Sequence, residues 1–162
     1  MDPYLVARGL HIFSAFILFG TGLGTAFHMY VACRSGLSSG AGVPAVARVA
    51  RQTVQADWLF TTPAAVVQPV TGLWLVHLLG YDLAAPWLLA SYGLYGVAGA
   101  AWLVVVVLQK DMARMAAIAA RAGTALPDAF HRRFRLWPRL GWVGFLSLAG
   151  VGILMVAKPA LW

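Results

Sequence analysis

Apolar residues along this chain run in four long blocks instead of alternating with polar ones. The blocks are about Tyr4–Ala32, Trp58–Leu79, Pro86–Leu108 and Leu140–Ala157. A helix needs ~20 apolar residues to cross a hydrocarbon core of ~30 Å, and each block is near or above that length. Lipid offers the backbone no hydrogen bonds, so such segments must satisfy themselves as helices. The pattern predicts an all-α, polytopic four-helix membrane bundle, with residues 1–162 forming one integral membrane domain. Ser35–Gly42 reads as a flexible glycine- and serine-rich connection. Val43–Gln55 reads as a short helix leading into the second block, and Asp111–Ala122 as a prolongation of the third helix that ends at Gly123. Asp128 is placed to cap a short basic amphipathic segment, Ala129–Trp137. There Phe130, Phe134 and Trp137 mix with Arg132, Arg133 and Arg135, a composition suited to the headgroup boundary.

Composition and charge sharpen this picture. Charged residues make up 10% of the chain, against roughly 25% in soluble domains, and mean hydropathy is +0.78, which excludes an ordinary soluble domain. The first block exceeds the length of a signal-peptide core and follows neither a positive stretch nor a cleavage motif, so it is expected to be a spanning helix. Arg34, Arg48 and Arg51 follow the first block. Lys110, Arg114, Arg121, Arg132, Arg133, Arg135 and Arg139 follow the third, and the connection after the second holds only Asp82. The positive-inside rule then predicts both termini on the outer, periplasmic side of a bacterial inner membrane. The net charge of +7 is read as topology and attraction to anionic membrane lipid, not as a nucleic-acid surface. Cys33 is the only cysteine, so no intrachain disulfide can form.

The candidate chemistry lies in two histidines. His11 and His77 interrupt apolar blocks, at what the block boundaries suggest is one depth near the outer side. Ionisable side chains inside a bilayer point to a functional site. Neutral imidazoles on facing helices can hold one iron axially, so His11 and His77 are the candidate metal ligands of a haem b. Gly22 shares the His11 face, with Ser14 beside it; small residues there would admit a flat macrocycle. Arg8 either pairs with a haem propionate or snorkels to headgroups. His28 stands 17 residues past His11, about 25 Å along a helix, and is expected at the inner boundary instead.

Pro69 lies in mid-span and frees a backbone carbonyl, which Gln68 and Thr71 would satisfy unless they line a ligand cavity. A regular helix puts His77 half a turn from Gln68, so the two share a site only if the Pro69 kink rotates the upper half. Tyr92 and Tyr95, interleaved with Gly93, Gly96 and Gly99, would line a macrocycle pocket or form a packing face. Gly20 and Gly24 permit a close helix contact, within the chain or in a homo-oligomer. The blocks contain no buried acidic residue and no inverted repeat, which leaves a transporter with poor material for a substrate path.

Several short motifs carry a family resemblance. These are Leu10-His11, Leu59 with Thr62-Pro63-Ala64, Val70-Thr71-Gly72-Leu73-Trp74-Leu75, and Val156-Ala157-Lys158-Pro159. They resemble the HemJ-type membrane proteins, and most closely a neighbouring family of predicted four-span integral membrane proteins in that superfamily. HemJ proteins bind haem b and oxidise protoporphyrinogen IX. The resemblance implies that His11 matches their first-span haem histidine, and Trp74 within the motif joins the candidate cofactor residues. Their activity needs a lysine early in span three, and the matching stretch here, Trp87–Tyr92, has none. Their span-three histidine pair is also missing, with Val107-Leu108-Gln109 near that place.

The resulting expectation is a haem-b membrane protein, a b-type cytochrome with a redox or electron-transfer role and a quinone or porphyrin as possible partner. A diverged protoporphyrinogen oxidase and a non-haem accessory or scaffold subunit are the alternatives.

Overall fold

The computed structural model describes residues 2–38, 42–159 and 161, the side chains of 36–38 excepted. Part of the glycine- and serine-rich connection, 39–41, lies outside the described residues. Helix α1 spans Pro3–Ser38, α2 Val43–Ala56, α3 Thr62–Leu78, α4 Pro86–Ala122 and α5 Asp128–Ala157. A single π-helical turn, Asp57–Thr61, joins α2 to α3 without a break. Four rods result, each long and apolar enough to cross a membrane. The described residues contain no strand.

Local chemistry explains the helix ends. Proline occupies the first turn of α2 and α4, where its missing N–H would have had no partner in any case. Gly123, at φ 64°, closes α4 in the left-handed conformation that glycine adopts without steric cost. Lys158 ends α5 at φ 43°, and Pro159 follows. The Lys158 ammonium reaches the Tyr81 hydroxyl at 2.5 Å, which ties the end of α5 to the α3–α4 connection.

Packing is uneven along the bundle. The main apolar core collects at the end of the molecule opposite the termini. There Met29 and Cys33 of α1 meet Val46 and Ala50 of α2, Met112 and Ala116 of α4, and Phe130, Phe134 and Trp137 of α5. Towards the middle, large apolar side chains such as Phe13, Phe16, Leu146 and Ile153 point outwards. Lipid is as apolar as a leucine side chain, so burying these residues against each other would gain little. Helix contact there relies on small residues and polar bonds: a Cβ on Gly150 would lie 3.0 Å from the Leu94 side chain.

Three sequence expectations change. The second rod runs unbroken from Val43 to Leu78, so the short helix before the second block is part of that span. Ala129–Trp137 is likewise no separate surface segment but the first part of α5. Its Phe130, Phe134 and Trp137 recur at helical spacing and are buried in the core, not laid against headgroups. Pro138 lies within α5 and does not end it.

The third change concerns Pro69, which also lies inside its helix. A proline removes the N–H that would bond the carbonyl four residues earlier, here Ala65. Gln68 and Thr71 do not answer that carbonyl. Tyr95 does, its hydroxyl donating across from α4 at 2.6 Å.

Tyr95→Phe leaves the Ala65 carbonyl without a partner, and thermal unfolding in detergent should show a loss of about 1–3 kcal/mol. Pro69→Ala restores the backbone donor, so Tyr95→Phe in that background should cost markedly less. Equal losses in both backgrounds would show that the tyrosine does not act through this carbonyl.

Candidate functional site

The His11 imidazole is half-buried between α1 and α3. Its Nδ1 lies 3.1 Å from the Gln68 carbonyl and 3.1 Å from the Thr71 hydroxyl oxygen. Its Nε2 lies 3.2 Å from the Gln68 amide nitrogen. Ser14, one turn along α1, donates to the Gln68 side-chain oxygen, and its hydroxyl also lies 3.0 Å from the His11 carbonyl. These bonds fix the protons. Gln68 uses its side-chain oxygen to accept from Ser14, so its NH2 faces Nε2 and Nε2 must accept. Nδ1 therefore carries the hydrogen and donates to the Gln68 carbonyl, which has no hydrogen to give. Thr71 in turn donates to the Val67 carbonyl at 2.7 Å. His11 is thus a neutral imidazole with its lone pair on Nε2.

Gly72 makes room for the ring. A Cβ at this position would lie 3.1 Å from His11 Cε1, closer than side chains normally approach. Sequence reading placed Gly72 in a motif but gave it no role. Only the position of the neighbouring helix shows what the missing Cβ permits.

The remaining candidates do not converge on His11. His77 lies five residues beyond Gly72, about 7.5 Å further along α3 and about 140° around it. It is exposed on another face of the helix. The expectation that the two histidines share one level and one iron is therefore corrected, because α3 continues through Pro69 as a helix and does not swing His77 inwards. Trp74 and Tyr92 are exposed, each at 39%. Gly22 lies eleven residues, about 16 Å, down α1. Arg8 is exposed, its guanidinium 3.5 Å from the Tyr4 hydroxyl and stacked over that ring. Tyr95 is committed to the Ala65 carbonyl. No group of three or more histidine, cysteine or acidic side chains positioned to hold a metal occurs among the described residues.

A second polar site was not expected. Asp57, in the π turn, is buried at 6% exposure inside the second rod. This overturns the statement that the spans hold no buried acidic residue. The signal was present in the sequence: Val46, Ala50, Thr53 and Asp57 recur at helical spacing, and all four are buried. Starting the span at Trp58 left the carboxyl outside it. Thr61 donates to Asp57 Oδ1 at 3.0 Å, and the Gln109 side chain of α4 faces the same carboxyl.

Residues 5–159 match the family described as "Predicted integral membrane protein (DUF2269)", and the chain belongs to that family. No curated protein and no solved structure matches it.

Gly72→Ala should push the imidazole by a few tenths of an ångström and break the bond to Thr71 or Gln68. Thermal unfolding should register a loss of about 1–3 kcal/mol. The same substitution in a His11→Ala background should be nearly neutral, and a full loss there would remove the close approach as its cause.

Proposed function

We propose that this integral membrane protein of the DUF2269 family binds one b-type haem through His11 and takes part in membrane redox chemistry, with electron transfer as its role. One observation carries the reading: the imidazole is already in the tautomer that ligation requires. Histidines that bind a metal through one ring nitrogen commonly donate the other N–H to a backbone carbonyl, which sets ring orientation and raises ligand basicity. Here Nδ1 donates to the Gln68 carbonyl and Nε2 keeps its lone pair. Ligation through Nε2 exchanges one hydrogen bond from the Gln68 amide, while Ser14 still holds the other end of that side chain. When bound, the haem supplies a one-electron iron couple within the bilayer.

The residues fit a single protein ligand. His77 is not counted, since it faces away from the cluster. Arg8, exposed one turn towards the N-terminus from His11, is the cation available to a propionate. The reading also places the protein in a bacterial inner membrane with both termini periplasmic. Its support is the distribution of lysine and arginine over the connections.

An absorption spectrum of the detergent-purified protein, oxidised and then dithionite-reduced, tests the cofactor. A Soret band is expected in the parent protein and in His77→Ala, and its loss in His11→Ala. Unchanged haem content in a folded His11→Ala protein would overturn the assignment.

Alkaline phosphatase fused after Trp162 should be active if the C-terminus is periplasmic. An inactive phosphatase together with a fluorescent protein that glows at the same position would reverse the topology.

A further inference from the structure

Three side-chain atoms without a hydrogen-bond partner in this structure, Asp57 Oδ2, Trp102 Nε1 and Gln109 Oε1, belong to residues that line one cavity. Asp57 and Gln109 are 6% and 4% exposed, so open water is not their solvent. The cavity measures about 250 Å³ and lies between the π turn and α4. An apolar cavity of ~150 Å³ already accepts benzene, so this one accommodates a substituted single ring. Its other walls are apolar and aromatic, among them Val54, Trp58, Leu103 and Val106.

The unpaired atoms specify a complement. Thr61 donates to Asp57 Oδ1, and Asp57 Oδ2 is left without a donor. Gln109 Oε1 also accepts, and the Trp102 indole N–H donates. A ligand must therefore present two donors and one acceptor on an otherwise apolar body, as ring hydroxyls do. The entrance specifies where it comes from. Trp58, Leu103 and Val107 are 55%, 61% and 59% exposed on the apolar flank of the bundle, so the cavity opens sideways towards lipid. At its rim the Lys110 ammonium sits 4.7 Å from the centroid of the Trp58 ring, where Gln109, Lys110 and Asp111 end the apolar run of α4. A ring bound here lies at the edge of the hydrocarbon, and the rim cation disfavours an organic ammonium.

We propose that this pocket binds the hydroxylated ring of a lipid-soluble aromatic of the hydroquinone class. Asp57 Oδ2 and Gln109 Oε1 accept from the ring hydroxyls, and Trp102 Nε1 donates to a ring oxygen. The site stands apart from His11 and does not depend on the haem reading.

Equilibrium dialysis of the full-length protein in detergent, with tetramethylhydroquinone kept reduced under argon, tests the assignment. Saturable binding at one ligand per chain is expected. The dimethyl ether of the same compound cannot donate and should bind roughly tenfold more weakly or worse. Trp102→Phe keeps the ring but removes the N–H and should weaken binding several-fold. Val106→Trp fills the cavity and should abolish binding while the helical circular dichroism stays unchanged; if that variant does not fold, the ether and Trp102→Phe carry the test. Absence of saturable binding, equal affinity for the ether, full affinity in a folded Val106→Trp protein, or tighter binding of benzyltrimethylammonium would each overturn the proposal.

Discussion

Inside a bilayer a carbonyl that loses its helical partner has to find another within the protein, since neither water nor lipid will serve. Pro69 creates such a carbonyl at Ala65, and Tyr95 reaches across from α4 to satisfy it. That bond holds α4 to α3 at a level where apolar packing has little driving force. Within the same stretch, Gln68 and Thr71 bind His11 of α1. The proline-containing segment is thereby bonded to two neighbouring helices. The His11 cluster is thus part of what holds the helices together, as well as the candidate site for a metal ligand.

The bundle uses two kinds of cohesion at two levels. At the end away from the termini, helix extensions carry Met112, Phe130, Phe134 and their neighbours into a buried apolar core. Through the apolar blocks, contact depends on missing Cβ atoms and on hydrogen bonds between helices. Gly72 lets the His11 ring approach α3, and Gly150 lets Leu94 approach α5. Polar side chains in such a place hold helices together only when their hydrogen bonds are complete. The His11 cluster is close to that state. The Asp57 pocket is not.

Asp57 keeps the buried register of α2, and the π turn begins at it. The Thr62 N–H and hydroxyl both bond the Asp57 carbonyl, and Pro63 directly afterwards has no N–H to offer Leu59. One inserted residue shifts every later side chain by about 100° relative to a regular helix. The Asp57 carboxyl, ahead of that shift, faces Gln109 of α4 in the register of α2, while Trp58 lies on the lipid side of the same turn. Single π turns of this kind often mark functional positions in long helices.

The amino-acid sequence by itself determined that four apolar helices cross a membrane, because lipid tolerates no unsatisfied backbone and the block lengths match its thickness. It also singled out His11 and His77 as unusual for their surroundings. It was not able to say that His11 meets Gln68 and Gly72 instead of His77. Helical periodicity fixes which residues share a face of one helix, but the rotation of one helix against another is set by packing. Nor did it show that Tyr95, 26 residues away, answers the carbonyl that Pro69 sets free. Asp57 illustrates the boundary between the two: its buried register was legible at i, i+3 and i+4 spacing, but its unpaired oxygen exists only because α4 stands opposite. Which polar atoms are satisfied and which lack a partner was decided by the tertiary structure alone, since the bonds between helices need both helices in place.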